Sequence, residues 1–277
     1  MGANPLMRDR SLVVGELIGD RCGAATSVLA RSRGGHARLG AADVRVSVVV
    51  PTLDEAANIP HVFARLPEAV FEVVLVDGLS VDDTVAVARA IRPSVRVVME
   101  SRRGKGAALA AGFAAVTGDI VVTIDADGST DPAEIPRFVD ALLAGADFAK
   151  GSRFMSGGGS ADITLLRRLG NRMLSGAVNV LFGTAYTDLC YGYNAIWADC
   201  LSVIDVDCDG FEIETQINVR AARAGLRVVE VPSFEHPRRH GESKLNAWRD
   251  GRRVAGTIVR ERFRRDGARR KEIVAAA

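Results

Sequence analysis

The chain has 277 residues, of which 48% are hydrophobic, so it can bury a sizeable core in one large domain or two modest ones. Its 36 Lys and Arg residues nearly balance its 34 Asp and Glu residues, for a formal charge of +2. A nucleic-acid-binding protein would carry a strong basic excess, so we expect no nucleic-acid partner.

Cysteine usage and hydropathy bear on where the protein works. The four cysteines form neither a CxxC pair nor a zinc-like spacing, and a chain of this size needs no disulfides, which favours a reducing cytoplasm. No apolar run approaches the ~20 residues of a membrane-spanning helix. Residues 11–30 are interrupted by Glu16, Asp20 and Arg21, so they fail as a signal peptide. We therefore expect a cytoplasmic protein without a transmembrane segment.

The chain begins with a stretch that lacks periodicity and continues with alternating elements. Residues 1–43 predict a poorly ordered tail, with a short amphipathic helix over 12–17 as the alternative. From residue 44, β-branched runs alternate with Ala-rich stretches, as in βαβ units of a mainly parallel sheet. The predicted strands are residues 46–50, 72–76, 95–99 and 120–124.

Helix start signals lie between and after these strands. Ser80 and Asp83 have capping-box spacing before a predicted helix over 85–91, and Asp131 with Pro132 supplies a cap and a first-turn proline before a helix over 135–143. After residue 150 the alternation stops. Further helices are predicted over 165–182, over 212–224 and from 245 onward, with a strand over 227–231.

Acidic residues follow three of the predicted strands. Glu55 comes after the first strand, Asp77 after the second, and Asp125 and Asp127 after the fourth. Ligands of open α/β sheets bind outside the carboxyl ends of the strands, so these carboxylates should converge on one edge. Crowded carboxylates repel unless a cation sits among them, and oxygen ligands favour Mg²⁺ or Mn²⁺. The alternative is that the acids only form strand-end turns.

Four segments in order, PTLDEAANI, VVLVDGLSVDDT, RRGKGAALAAGF and GDIVVTIDADGST, resemble the inverting family 2 glycosyltransferases of the GT-A type. That family includes dolichyl-phosphate and polyprenyl-phosphate mannosyl- and glucosyltransferases, and the resemblance runs from about residue 46 to about residue 246. It implies an α/β, Rossmann-like fold with a mainly parallel sheet flanked by helices and a C-terminal acceptor-binding region. The resulting segments are a tail (1–43), a nucleotide-sugar-binding half (44–150), an acceptor-binding half (151–246) and a basic helical segment (247–277).

The resemblance also implies donor-binding residues for a GDP- or UDP-hexose. Base and ribose contacts fall on Pro51, Thr52, Glu55 and Asp77, and the Asp125-Ala126-Asp127 run lies at the diphosphate-bound metal, with Asp127 catalytic. Lys105, between two glycines at a helix start, could reach a phosphate, although the glycines could equally serve only a tight turn. The polyprenyl-phosphate branch often has Gln where this chain has Ser129, so no third metal ligand is implied there.

On the acceptor side, residues 167–195 resemble the polyprenyl-phosphate enzymes more than polysaccharide synthases. As a helix, the start of this stretch presents an apolar stripe with arginines at its edge, and the alternative is an ordinary helix packed on the core. The stripe contains Leu166, Leu169, Met173, Leu174, Ala177 and Leu181, and the arginines are Arg167, Arg168 and Arg172. The phosphate contacts implied by the family pattern are Arg153, Arg238, Arg239, Ser243 and Lys244.

An inverting transfer is one in-line displacement, and the nature of the acceptor decides whether a base is needed. A lipid phosphate is already anionic at neutral pH, so cations such as Arg153 matter more than a base. A hydroxyl acceptor would require a carboxylate base, for which Asp188, Glu212 and Glu214 are candidates. The polyprenyl phosphate acceptor is favoured, with a hydroxyl acceptor or a non-catalytic nucleotide-sugar-binding protein as alternatives.

The C-terminal segment is strongly basic. Residues 249–272 contain ten Lys and Arg residues against four Asp and Glu residues. Such a segment could attract an anionic membrane surface and place the protein peripherally at its cytoplasmic face, or it could simply be a solvated charged helix.

Overall fold

The computed structural model describes residues 44–243 and 245–264. Its strands are β1 (Val46–Thr52), β2 (Val70–Asp77), β3 (Arg96–Met99), β4 (Ile120–Thr123), β5 (Phe148–Ser152), β6 (Gly159–Ser160), β7 (Asn194–Trp197), β8 (Val228–Pro232) and β9 (Phe234–Glu235). Its α-helices are α1 (Ile59–Ala64), α2 (Thr84–Ile91), α3 (Lys105–Ala115), α4 (Ile135–Leu143), α5 (Leu165–Phe182), α6 (Leu201–Ile204), α7 (Ile213–Arg223) and α8 (Ala247–Phe263).

Seven of the described strands form one sheet in the order β3-β2-β1-β4-β7-β5-β8, and β6 pairs with β9 beside it. β1 is parallel to β2 and β4, β2 to β3, and β5 to β8, while β7 runs antiparallel to both of its neighbours. Every strand of this sheet except β7 therefore ends at the same edge. This mainly parallel α/β architecture confirms the predicted GT-A-type fold.

The core lies on both faces of this sheet because its central strands are apolar along their length. Val48 and Val49 of β1 and Val121 and Val122 of β4 are fully buried. Helix α3 packs on β1 and β2 from one side, and α4 packs on β5 and β7. The approach of α3 is close, because a Cβ at Gly112 would lie 2.4 Å from a methyl group of Val49.

All four strands predicted from the first half are present, within two residues of their expected limits. The sequence pattern did not predict β5 and β7. β5 contains Lys150, Gly151 and Ser152, and β7 has only four residues, so neither forms a sustained β-branched run. Because β7 inserts between β4 and β5, the proposed donor and acceptor halves share one sheet, and their division by function stays a prediction. The tail over 1–43 and residues 265–277 lie outside the described residues.

One of the two predicted helix caps is wrong. α2 begins at Thr84, one turn after Ser80, and Ser80 Oγ donates instead to Asp77 Oδ1 at 2.6 Å. Because the Ser80 hydroxyl binds the strand-end carboxylate of Asp77, it does not cap the helix. The Asp131 cap is confirmed: its side chain accepts from the backbone N–H of Ala133 at 3.0 Å, in the 3-10 turn that leads into α4.

Helix α5 has the predicted limits, 165–182, and its buried side carries two polar residues, Asn171 and Ser175, beside apolar ones. The side-chain oxygen of Asn171 accepts hydrogen bonds from the backbone N–H groups of Leu189 at 3.2 Å and Cys190 at 3.1 Å. Ser175 and Val178 are buried on the same side. These contacts attach α5 to the loop that precedes β7.

Replacing Asn171 with alanine is expected to lower the free energy of unfolding by about 1–3 kcal/mol, because the buried backbone N–H of Leu189 loses an acceptor and that of Cys190 keeps only a 3.3 Å contact to Asp188. Urea unfolding followed by circular dichroism measures this change. Arg172→Ala is the matched control, since Arg172 is exposed on the same helix and its removal should leave stability unchanged. Equal stability of the two variants would contradict the anchoring role of Asn171.

Helix α8, the described part of the basic C-terminal segment, is tied to α7. Arg220 of α7 contacts Glu261 Oε1 through Nε at 2.9 Å and through its terminal nitrogen at 2.8 Å, and both side chains are buried. The basic residues of α8 are thus held at a fixed place on the fold. None of the described helices is both long enough and apolar enough to span a bilayer.

Candidate active site

Asp77, at the end of β2, is held by neutral donors. Its carboxylate accepts from Ser80 N at 2.8 Å and Ser80 Oγ at 2.6 Å, and Thr52 Oγ1 lies 3.3 Å away. Asp77 is almost fully buried, so these hydrogen bonds compensate for the water that it loses. Two predicted donor-binding residues, Thr52 and Asp77, are therefore in direct contact.

The loops that follow β1 and β2 interlock. Asp54 accepts from the backbone N–H of Val81 at 2.9 Å, and the backbone N–H of Glu55 donates to Thr84 Oγ1 at 2.8 Å. Asp54 and Leu79 adopt left-handed backbone angles, with φ of 60° and 64°, which non-glycine residues adopt only when the surroundings enforce it. The strand-end loops thus form one rigid support for Glu55.

Arg238 bridges two of the predicted donor-side carboxylates. Its guanidinium lies 2.9 Å from Glu55 Oε1 and 3.2 Å from Asp127 Oδ2. Asn58 also donates to Glu55 Oε2 at 2.5 Å, and Asp127 Oδ1 accepts from the backbone N–H of Ser129 at 2.9 Å. The sequence predicted Arg238 as an acceptor-phosphate contact, and here the arginine lies between the donor carboxylates.

Lys105 contacts Asp125, the first carboxylate of the Asp125-Ala126-Asp127 run. Its ammonium lies 2.6 Å from Asp125 Oδ1 and 2.9 Å from Glu214 Oε1. Burial by itself would lower the pKa of Lys105, but the two carboxylates outweigh it and raise that pKa above its usual range. Burial also raises the pKa of Glu214, with Asp125 adding a like charge and Lys105 acting against both.

The cations that offset the crowded carboxylates are thus side chains of the protein itself. Among the described residues, no three His, Cys, Asp or Glu side chains lie close enough together to form a complete metal cage. Asp125 and Asp127 nevertheless follow one strand as partly exposed carboxylates, at 31% and 18% of the side-chain area. Such a pair fits Mg²⁺ or Mn²⁺, which takes one or two carboxylates and completes its shell with water and substrate phosphate.

A third cluster surrounds Arg153 at the end of β5. Its guanidinium binds Asp188 through two contacts of 2.7 and 3.0 Å, and its remaining terminal nitrogen lies 3.0 Å from Glu235 Oε1. The Tyr191 ring lies 4.8 Å from the guanidinium carbon, and Ser160 donates to Glu235. This buried group joins β5 to β9 and to the loop before β7.

The cluster stabilises the charged forms of Asp188 and Arg153. Burial would raise the pKa of Asp188, but the charge and hydrogen bonds of Arg153 outweigh it and hold that pKa below its usual range. Burial likewise disfavours the charged form of Arg153, and Asp188 and Glu235 more than restore it, so its pKa is raised. Asp188 is therefore a buried, ion-paired carboxylate, and Arg153 directs its guanidinium to protein carboxylates.

The remaining predicted phosphate contacts lie on the loop between β9 and α8. Arg239 is exposed, and its backbone N–H donates to the carbonyl of Asp127 at 3.1 Å, which places it beside the donor carboxylates. Ser243 is exposed, and its hydroxyl lies 3.4 Å from the backbone N–H of Leu245. Lys244 lies outside the described residues, and for Ser243 the structure gives no contact with the site.

Two participants were not predicted from the sequence. Glu235 meets Arg153 across 82 positions, a separation that no spacing pattern signals. Lys150 of β5 is fully buried, with its ammonium 3.2 Å from the carbonyl of Gly151 and 6.0 Å from the centre of the Tyr186 ring. Burial lowers the pKa of Lys150. A lysine inside an unpredicted strand could have signalled a buried polar region, but only once β5 was recognised.

Comparison with known proteins supplies the family. The sequence profile described as Glycosyl transferase family 2 matches residues 47–204. The chain is 36% identical over 215 residues to the undecaprenyl-phosphate mannosyltransferase of Micrococcus luteus, covering 73% of this chain and 88% of that protein. It is also 36% identical over 215 residues to the polyprenol monophosphomannose synthase of Mycolicibacterium smegmatis, covering 73% and 81%.

A solved structure agrees with the fold. Glucosyl-3-phosphoglycerate synthase from Mycobacterium tuberculosis, in complex with Mn²⁺, uridine diphosphate and glucosyl-3-phosphoglycerate, superposes with a TM-score of 0.65 at 26% identity, covering 82% of each chain. The resemblance found in the four sequence segments is thereby confirmed. With more than half of its residues matched by the family profile, the chain belongs to glycosyl transferase family 2.

Proposed function

We propose that this protein transfers a hexosyl group from a GDP- or UDP-sugar to a polyprenyl phosphate, with inversion at the anomeric carbon and with a divalent metal. The names of the relatives from Micrococcus luteus and Mycolicibacterium smegmatis support this acceptor class. The observation that carries the proposal is that carboxylates and cations of this chain meet at one edge of the sheet, around Asp125, Asp127 and Arg238.

The donor half of the reaction rests on the strand-end carboxylates. Thr52, Glu55 and Asp77 bind the base and ribose, and Asp125 and Asp127 would hold Mg²⁺ or Mn²⁺. That ion, when bound, neutralises the charge that develops on the departing nucleoside diphosphate. Lys105 contacts Asp125 Oδ1 at 2.6 Å and orients that carboxylate, so we assign it a positioning role. Complexes of the synthase from Mycobacterium tuberculosis with Mn²⁺ and uridine diphosphate support this assignment.

On the acceptor side, two of the three candidate bases are already bound by cations of the protein. Asp188 is fully buried and bound by Arg153, and Glu214 is 4% exposed and bound by Lys105. Neither can readily take a proton from an acceptor hydroxyl in this arrangement. A phosphate acceptor needs no such base, because its oxygen is already anionic at neutral pH. Arg238 and Arg239, next to Asp127, are the cations that we assign to that phosphate.

A hydroxyl acceptor is the second candidate. The structural similarity to glucosyl-3-phosphoglycerate synthase favours it, and so does Glu212, whose Oε2 is buried without a hydrogen-bond partner among the described residues. In this alternative Glu212 would act as the base.

Transfer from labelled GDP- and UDP-hexoses to polyprenyl phosphate, to the matching polyprenol and to phosphoglyceric acid separates these candidates. We expect sugar incorporation into polyprenyl phosphate only, its loss when a chelator removes divalent ions, and its recovery when Mn²⁺ or Mg²⁺ is added back. Incorporation into phosphoglyceric acid or polyprenol instead would establish the hydroxyl alternative. Full activity in the chelator would refute the metal requirement.

A further inference from the structure

Both terminal nitrogens of Arg238 bind carboxylates of the donor site. One lies 2.9 Å from Glu55 Oε1, and the other lies 3.2 Å from Asp127 Oδ2. These two nitrogens form the fork by which an arginine binds a phosphate through two parallel hydrogen bonds. An acceptor phosphate, which the proposed function assigns to Arg238, would therefore find this fork already occupied.

The main chain next to Arg238 is tied to the donor-side loops. The backbone N–H of Arg239 donates to the carbonyl of Asp127 at 3.1 Å. The backbone N–H and carbonyl of His240 both bind the side chain of Asn58, at 3.0 and 3.2 Å. A change in the contacts of Arg238 is therefore a movement of its long side chain on a backbone that stays in place.

The two carboxylates bound by Arg238 differ in their surroundings. Glu55 also accepts from Asn58 Nδ2 at 2.5 Å, and its side chain is only 8% exposed. Asp127 is the more open of the two, and with Asp125 it forms the pair that fits Mg²⁺ or Mn²⁺. A guanidinium and a divalent ion on one carboxylate repel each other, so Arg238 in this position competes with such an ion for Asp127.

Lys105, which contacts Asp125, is less free to move than Arg238. Its ammonium lies between Asp125 and Glu214, at 2.6 and 2.9 Å, and its side chain is 12% exposed. The backbone before β7 covers it, because a Cβ at Gly192 would lie 2.4 Å from its nitrogen. If Asp125 takes an ion, Lys105 keeps its buried partner Glu214. Arg238 is therefore the cation that can change its contacts when the donor binds.

We propose that Arg238 couples the donor and acceptor halves of the reaction. It leaves Asp127 when that carboxylate takes the divalent ion of the donor complex, keeps Glu55, and directs its freed nitrogen to the acceptor phosphate. The proposal rests on the proposed function for the identity of both ligands and adds an order of binding. The acceptor phosphate binds tightly only after metal and nucleotide are in place, so Arg238 is a positioning residue for the donor as well as an acceptor contact.

Charge attraction between the two ligands does not produce this order. A nucleoside diphosphate carries more negative charge than one divalent ion neutralises, so the donor complex by itself repels a second phosphate. Tighter acceptor binding in the presence of metal and nucleotide therefore requires a change in the protein, and release of the Arg238 fork supplies it.

Calorimetric titration of the full chain with geranyl phosphate, a water-soluble isoprenyl phosphate, tests the order. The titrations are run without additions, with Mn²⁺ alone, and with Mn²⁺ plus UDP or GDP. Wild type should bind geranyl phosphate at least about tenfold more tightly with Mn²⁺ and the matching nucleotide than without additions, within the usual range of coupling between two sites. By reciprocity, geranyl phosphate should raise the affinity for the nucleotide complex by the same factor.

Arg238→Gln distinguishes this coupling from a merely structural bridge. Without the competing guanidinium, Mn²⁺ alone should bind at least about fivefold more tightly than to wild type, whereas damage to the site would weaken Mn²⁺ binding. Geranyl phosphate should bind this variant no more tightly with Mn²⁺ and nucleotide than without them. Arg45→Gln is the matched control and should behave as wild type, because Arg45 forms an exposed pair with Asp119 at the opposite edge of the sheet.

Two results would overturn the proposal. One is a Mn²⁺ affinity of Arg238→Gln that is equal to or weaker than that of wild type, and the other is geranyl phosphate binding by wild type that is the same in all conditions. Sugar transfer to geranyl phosphate is measured in parallel. Transfer by wild type without coupled binding removes the role of Arg238 and leaves the proposed function standing. Coupled binding without transfer from any donor refutes the proposed function and leaves the coupling standing.

Discussion

Replacing Asp127 with asparagine is expected to lower the turnover number about a thousandfold, the upper end of the range seen when one group that stabilises transition-state charge is removed. Asparagine keeps the shape of the side chain and can still accept the hydrogen bond from the backbone N–H of Ser129. It loses the negative charge that faces Arg238 and that would hold a divalent ion. The loss should therefore appear in catalysis, with the fold intact.

Steady-state transfer with saturating donor and acceptor measures this effect, with thermal unfolding as the check on folding. The matched control is Asp140→Asn, the same change at an exposed aspartate on α4. We expect wild-type turnover in the control. Turnover of Asp127→Asn within about twofold of the control would remove Asp127 from the reaction.

Replacing Arg153 with methionine is expected to lower the free energy of unfolding by about 3–5 kcal/mol, the cost of breaking a buried ion pair by removing one partner. The substitution leaves Asp188 and Glu235 buried without the guanidinium that binds both. Urea unfolding measures it. Arg102→Met is the control, because Arg102 forms an exposed pair with Glu100 and its removal should not change stability measurably.

The destabilisation by Arg153→Met should also depend on pH. Arg153 holds the pKa of Asp188 below its usual range, so the ionised carboxylate stabilises the fold above the unfolded pKa of about 4. That contribution is lost as the pH falls through the folded pKa. The difference between wild type and variant should therefore be largest at neutral pH and should shrink in acid. A difference that stays constant with pH would show that the ion pair contributes little.

The donor edge was predictable because two regular rules act together. Short β-branched runs identify buried parallel strands, and parallel strands end at one edge, so the positions of Glu55, Asp77, Asp125 and Asp127 followed from the sequence pattern. The structure adds the cations. Arg238 reaches Glu55 from 183 positions away, and such a pairing depends on the tertiary fold alone.

The sequence did not predict which face of α5 is buried. A period of 3.6 residues identifies an apolar stripe but does not say which way the stripe faces. Here the hydrogen bonds of Asn171 and Asn179 decide the orientation, and both partners lie in a loop that has no periodicity. β5 was also not predicted, because its buried Lys150 and its small residues do not form the apolar run by which strands are recognised.

In the proposed reaction, a sugar becomes linked to the phosphate of a polyprenyl phosphate with inversion. Nuclear magnetic resonance of the purified product, made from a donor of known anomeric configuration, tests it most directly. We expect a phosphodiester phosphorus signal coupled to the anomeric position and a C1 configuration opposite to that of the donor. A retained configuration, or a sugar joined through the oxygen of an acceptor hydroxyl group, would contradict this reaction.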